Sequence, residues 1–213
     1  MQPKVLIADD HPIFRAAMRH ALVDIIGDNM VEAESYPQTH SVLKADPDIE
    51  IVFLDINMPG NEGLTGLSEI RATFPDIIVV MVSAEECQHL IRKAIALGSS
   101  GYIPKSTSLP VLSQAISQII EGEQWLPENL SGALPDVQNT AQEEFAHRVT
   151  QLTPHQFTVL RLIAEGLLNK QIAYQLDISE STVKQHVSAV LRKLNVINRT
   201  QAGIVFKQVV GRQ

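Results

Sequence analysis

Three carboxylates, a hydroxyl and an amine stand where apolar runs of this sequence stop. VLIAD (5–9) ends on Asp9 and is followed by Asp10, IEIVFLD (49–55) ends on Asp55, IIVVMVS (77–83) ends on Ser83, and Lys105 follows GYIP (101–104). An apolar run that ends on a lone acid is a poor place for a charge that only needs solvating. If the three carboxylates converge, they repel unless a cation sits among them. Mg²⁺ suits that inventory, being a hard ion content with one or two carboxylates plus water and phosphate oxygens. Asp55 is then an activated carboxylate nucleophile able to take a phosphoryl group. Ser83 and Lys105 would offer a donor and a positive charge to the developing oxygens, which is how phosphoryl transfer is stabilised. Taken singly, each residue has a plainer reading. Asp10 can cap a helix beginning at His11–Pro12, Ser83 can be a loop serine, and Lys105 a solvated lysine. Four elements placing suitable types at one edge carry the chemistry.

That convergence requires a particular scaffold. Between the strand candidates, which include MVEAES (30–35), lie amphipathic stretches such as IFRAAMRHALVDI, GLSEIRATF and HLIRKAIAL. Strands alternating with helical patterns predict βαβ units and a parallel sheet. Five such units in about 120 residues predict a flavodoxin-like α/β doubly wound domain. In strand order 2-1-3-4-5, the carboxyl ends of strands 1, 3, 4 and 5 are neighbours, and functional groups gather at that edge. The same length of chain leaves room for a nucleotide-using oxidoreductase as a rival. Gly60, Gly63 and Gly66 recur, but as G-x-x-G-x-x-G and not the G-x-G-x-x-G that lets a pyrophosphate approach.

KVLIADDHPIFR, VFLDINMPG, MVSA and GYIPKS, in that order, resemble the receiver domain of a bacterial two-component response regulator over residues 4 to about 122. The resemblance implies that a sensor histidine kinase phosphorylates Asp55, and that Asp9, Asp10, Asp55 and the backbone carbonyl of Asn57 hold Mg²⁺. It implies too that Ser83 and Tyr102 are switch residues, the hydroxyl moving to the phosphoryl group and the ring inward. The face made by helix 4, strand 5 and helix 5 would change with them. Asn57 and Glu85 border the phosphoryl position and resemble the pair in chemotaxis receivers, whose phosphoryl group is short-lived.

Charge divides the chain further. Residues 1–127 hold 8 basic and 17 acidic side chains, net −9, whereas residues 151–213 hold 8 and 3, net +5. The overall −7 therefore does not exclude DNA. We expect a receiver domain over 1–126, a linker over 127–150 with a short helix near Glu143–Val149, and a basic all-α helix-turn-helix domain over 151–213. In the last piece Thr153, Pro154 and Gln156 form a capping box, Gly166 stops the first helix, and Asn169 can cap the second. The turn Asp177–Ile178–Ser179 leads to a third helix with Val183, Val187, Val190, Leu191 and Leu194 apolar. A helix, a tight turn and a basic second helix predict entry into the major groove. Lys184, Gln185, Ser188 and Arg192 lie on the outward face and can reach bases or phosphates. The stretch 151–208 resembles the LuxR-type DNA-binding domain, and with the receiver the chain is similar to the NarL/FixJ family throughout. The resemblance adds Ser181, Thr182 and His186 to the DNA-binding set. It also makes Ala202, Val205, Phe206 and Val209 the candidate contact of a homodimer formed on phosphorylation; the plainer reading is that the same stripe packs within its own domain.

Cys87 is the only cysteine, so no intramolecular disulfide forms, which fits a reducing cytoplasm. No apolar run approaches the ~20 residues of a membrane span, and the N-terminus does not read as a signal peptide. These readings converge on a bacterial, cytoplasmic transcription factor with a kinase and double-stranded DNA as partners, and not on an enzyme.

Overall fold

The computed structural model describes residues 2–61, 63–127, 145 and 147–210. Strands β1 (Lys4–Ala8), β2 (Met30–Ala33), β3 (Ile49–Asp55), β4 (Ile78–Ser83) and β5 (Gly101–Pro104) form one parallel sheet in the order β2-β1-β3-β4-β5. Helices α1 (Pro12–Ile26), α2 (Tyr36–Ala45), α3 (Thr65–Thr73), α4 (Gln88–Ala96) and α5 (Leu109–Ile120) follow the strands in turn. Met18, Leu22, Leu112 and Ile116 of α1 and α5 cover one face of the sheet. Leu43, Leu67, Ile70 and Ile91 of α2, α3 and α4 cover the other. With helices on both faces a strand needs apolar residues at every position, and β3 is buried along its whole length. The register sets Leu54 beside Ala8, Asp55 beside Val82 and Ser83 beside Pro104, so the strand ends meet at one edge.

Two boundaries differ from expectation. β1 stops at Ala8 and β2 at Ala33. Asp9 still donates its N–H to Ala33 O at 3.0 Å, but its carboxylate accepts the backbone N–H of His11 at 2.8 Å and turns the chain into α1. The N-cap of α1 is His11 without a side-chain bond, so Asp10 does not cap it.

The glycine series has a packing explanation. Gly60 has φ +82°, and a Cβ there would meet Pro37 Cδ at 2.7 Å. At Gly66 a Cβ would meet Asn61 Oδ1 and the Tyr36 ring, each at 2.7 Å. These glycines admit α2 and the loop after β3, which leaves the oxidoreductase reading without its motif.

The C-terminal helices are α6 (Pro154–Ala164), α7 (Asn169–Leu176), α8 (Glu180–Leu194) and α9 (Arg199–Val210). Thr153 and Gln156 close the expected capping box, at 3.3 and 3.1 Å. Asp177 takes the left-handed conformation (φ 52°) between α7 and α8, and Ser179 caps α8. Asn169 is not the cap of α7: it is the first helical residue, and its amide donates to Asp76 Oδ2 at 3.1 Å. Ala202, Val205 and Phe206 join the core of their own domain, Phe206 lying edge-on to Phe157 at 5.7 Å. That stripe is spent on intramolecular packing, which corrects its expected role as a dimer contact. The side chain of Val209 lies outside the described residues, as does most of the expected linker; residues 147–149 are helical.

The helical domain docks against the amino-terminal edge of the sheet, opposite the Asp55 edge. Asn198 Nδ2 donates to Gly98 O and Thr200 Oγ1 meets Ser100 Oγ, both at 2.8 Å and buried. Arg71 donates to Ile197 O at 3.3 Å, and Leu168 is built into the receiver core.

Because both contacts at Gly66 are to side chains, Gly66→Ala should be folded but destabilised by ~1–3 kcal/mol through overpacking. Urea unfolding of the two proteins checks this, with a lowered midpoint and unchanged slope expected.

Candidate phosphoacceptor site and nucleic-acid interface

At the carboxyl edge Asp55 is 1% exposed, as is Asp9. The Lys105 ammonium bridges them, 2.7 Å from Asp9 Oδ2 and 2.9 Å from Asp55 Oδ2. It also lies over the Phe14 ring at 5.1 Å, a cation–π contact. Asn57 donates its backbone N–H to Asp55 Oδ1 at 3.2 Å. Burial pushes the Asp55 pKa up; the Lys105 hydrogen bond opposes this and the Asp9 charge adds to it. For Lys105 burial acts to lower the pKa, but the bonds and charges of Asp9 and Asp55 outweigh it and the net shift is upward. The amine therefore stays a cation and the carboxylate stays poorly solvated.

One donor atom each from Asp9, Asp10, His11 and Asp55 lies within 4.8 Å of the others. Asp9 Oδ2 and Asp10 Oδ1 are buried, each with one charged or ring nitrogen beside it: the Lys105 amine at 2.7 Å from the first and the His11 ring at 2.6 Å from the second. Such a crowded, underpaired oxygen set fits a hard divalent cation.

Ser83 is fully buried, and its Oγ accepts the Glu85 N–H at 3.1 Å. Tyr102 is also fully buried, donating to Glu85 O at 2.7 Å. Thus both expected switch residues grip the same residue of the turn into α4. The Glu85 side chain accepts from Asn57 Nδ2 at 3.3 Å, so the two polar neighbours of Asp55 face each other.

Three residues that sequence reasoning passed over position this site. Arg15, 6% exposed, donates to Asp9 O at 2.8 Å and to Glu32 and Glu34 at 2.9 and 2.6 Å, fixing the turn after β1 to β2. His11 enters the acid cluster itself. Asn61 donates to Asp55 O and Ile56 O, at 3.3 and 2.9 Å, and accepts Gly66 N–H at 3.0 Å, closing the loop after β3. An arginine in helical register with the apolar Met18 and Leu22 was the available signal for Arg15; Asn61 resembled any turn residue.

On α8 the side chains of Ser181, Gln185 and Arg192 are exposed, while Thr182, Lys184, His186 and Ser188 are half-buried. His186 stacks on His155, with ring centroids 6.2 Å apart. Lys184 Nζ donates to Pro47 O of the receiver at 2.5 Å. The expected DNA face therefore turns partly toward the other domain.

A hydroxyl, an amine and three acids at the switch edge of a 2-1-3-4-5 sheet, joined to a helix-turn-helix, define a two-component response regulator. Residues 5–117 match the family described as response regulator receiver domain, and residues 150–206 match bacterial regulatory proteins of the luxR family. The chain belongs to the NarL/FixJ family of response regulators, which unite these two domains. It is 43% identical over 204 residues to a glycerol metabolism activator of Pseudomonas putida, covering 93% of this chain and 92% of that one. It is 33% identical over 205 residues to the nitrate/nitrite response regulator protein NarL of Escherichia coli (strain K12), covering 96% and 94%. Among solved structures, RcsB from Salmonella enterica serovar Typhimurium, bound to promoter P1flhDC in the presence of phosphomimetic BeF3−, matches with TM-score 0.57 and 27% identity over 98% of this chain and 100% of that one. A further match, with TM-score 0.57 and 26% identity over 98% and 100%, is a structure of two RcsB dimers bound to two parallel DNAs. The protein is thus a transcriptional regulator of a two-component system. Among the described residues no helix is long and apolar enough to cross a membrane.

Asn61→Ala leaves two carbonyls and one amide of the Asp55 loop without a partner. It should cost ~1–3 kcal/mol in denaturant unfolding and should slow labelling of the site by a small phosphodonor.

Proposed function

We propose that Asp55 is the single phosphoacceptor, and that its phosphorylation releases the helix-turn-helix domain for DNA. The observation that carries this is the buried Asp55 carboxylate, held by Lys105 at 2.9 Å and by the Asn57 amide. An Asp55 oxygen forms the new bond to phosphorus as the bond to the kinase imidazole breaks, and the imidazole departs. Lys105 stays beside the phosphoryl oxygens and balances their charge. Asp9, Asp10, Asp55 and the Asn57 carbonyl would hold Mg²⁺, which supplies further positive charge to those oxygens. The Ser83 hydroxyl then moves to donate to a phosphoryl oxygen and gives up the Glu85 N–H it now accepts. Because Ser83 and Tyr102 both hold Glu85, that exchange loosens the turn and shifts α4.

The far end of α4 meets the docked domain, through Gly98 O and Ser100. With Lys184 tied to Pro47, the docked form is the resting one and cannot lay α8 in a major groove. Ser181, Thr182, Lys184, Gln185, His186, Ser188 and Arg192 become available to DNA on release. A cytoplasmic homodimer forms with phosphorylation, since one recognition helix reads only a short half-site. Its contact is a surface other than the buried stripe of α9.

A small phosphodonor with Mg²⁺ should add one phosphoryl mass to the protein and none to Asp55→Asn. Full labelling of Asp55→Asn sinks the assignment. Thr200→Val keeps the shape of the side chain but leaves Ser100 Oγ without its buried partner, weakening closure by ~1–2 kcal/mol. If the closed form dominates, duplex affinity of the untreated protein should rise about five- to thirtyfold, read by fluorescence anisotropy.

A further inference from the structure

The chain does not leave the receiver when α5 ends at Ile120. It turns at Gly122 and returns along the open side of β5, the edge strand of the sheet. There Trp125 pairs in parallel with Gly101, and the Trp125 carbonyl accepts the Tyr102 backbone N–H at 3.1 Å. Trp125 packs on the α1–α5 side of the sheet and Leu126 on the α2–α4 side, which is the alternation of a strand. The fit is close: a Cβ on Gly101 would meet the Trp125 carbonyl at 3.2 Å. This strap also touches the docked domain. A Cβ on Gly122 would lie 3.2 Å from Gly166 Cα, between α6 and α7.

One residue joins the strap to the switch. Tyr102 holds Trp125 with its backbone N–H, and with its hydroxyl it holds Glu85 O at 2.7 Å. A single bridge at a sheet edge opens more readily than a ladder paired on both sides. When Ser83 turns to the phosphoryl group and the Glu85 turn loosens, Tyr102 loses its anchor and the bridge loses a fixed donor. Once free, residues 122–127 lengthen the tether between the domains by up to roughly 20 Å. A longer tether lowers the effective concentration of each domain at the other, so return to the docked form becomes less favourable.

We propose that residues 122–126 are a releasable sixth strand of the receiver sheet, and that through Trp125 phosphorylation of Asp55 loosens the connection between the domains. The proposal rests on that phosphorylation releasing the docked domain. Trp125 is a positioning residue, acting through Tyr102 and touching nothing at the phosphoryl pocket.

The test uses the full-length protein with and without beryllofluoride and Mg²⁺. Amide hydrogen exchange at Tyr102 should become about tenfold faster on loading, while the amides of β3 keep their protection. Trp125 is the only tryptophan, so emission should move to longer wavelength and acrylamide should quench it more. Thr200→Val, which opens the domains without loading, separates cause from consequence. Its Tyr102 amide should exchange at the parent's slow rate until beryllofluoride is added. Fast exchange in unloaded Thr200→Val overturns the proposal, because the strap then merely follows undocking. A Tyr102 amide equally slow in loaded and unloaded parent also overturns it, and if duplex affinity still rises, release of the domain stands without the strap. Faster Tyr102 exchange on loading with unchanged duplex affinity supports the strap and refutes release.

Discussion

Two carboxylates buried side by side repel each other and have lost their water, and Lys105 is what makes the pair tolerable. Its ammonium touches Asp9 and Asp55 within 3 Å and rests on the Phe14 ring. Isolated burial of either acid would cost several kcal/mol or force protonation. The surrounding structure serves this arrangement: Arg15 pins the Asp9 turn, Asn61 pins the Asp55 turn, and the register brings the strand ends level. The cation answers only part of the negative charge, since Asp10 remains alongside. The edge is therefore poised for additional positive charge and for a phosphoryl group.

Strand β3 repeats the same problem at its other end. Glu50, near its start, is buried against Arg199 of the other domain, and Asp55, at its close, against Lys105. Burial pushes the Glu50 pKa up even though Arg199 and the Lys170 amide act to lower it. The charges facing Glu50 thus do not fully offset its burial. Docking held by incompletely compensated charges, a few buried hydrogen bonds and the single apolar anchor of Leu168 is suited to being undone. An interface of tightly packed apolar side chains would resist release.

The parallel sheet and the convergence of Asp9, Asp10, Asp55, Ser83 and Lys105 were legible in the sequence because each strand announces its end with a change from apolar to polar. Helix punctuation was equally readable at Thr153–Gln156 and Asp177–Ser179, where local bonds decide the outcome. The docking surface was not. Glu50 looks like the polar position of a half-exposed strand, Asn169 like a cap and Lys184 like a free groove-reading side chain. Each takes a partner about a hundred residues away, which no local pattern encodes. The α9 stripe misled for a related reason: an apolar face at helical spacing states that something covers it, not which molecule. Here the cover is α6 of the same domain.

The docked domain and Asp55 occupy opposite edges of the sheet, separated by the seven residues of β3, roughly 20 Å. Chemistry at one edge and closure at the other therefore share no side chain. Under the proposed release, substitutions at Ser100 or Asp48 on the amino edge, or at Thr200 of the docked helix α9, alter how often the unmodified protein opens and leave the Asp55 edge untouched. Under the same proposal, substitutions around Asp55 alter how strongly a stimulus is felt and leave resting closure alone. In circuit terms the set point and the gain have separate adjustment screws. A promoter served by this regulator can acquire a leakier or tighter off state without any retuning of the kinase that drives it.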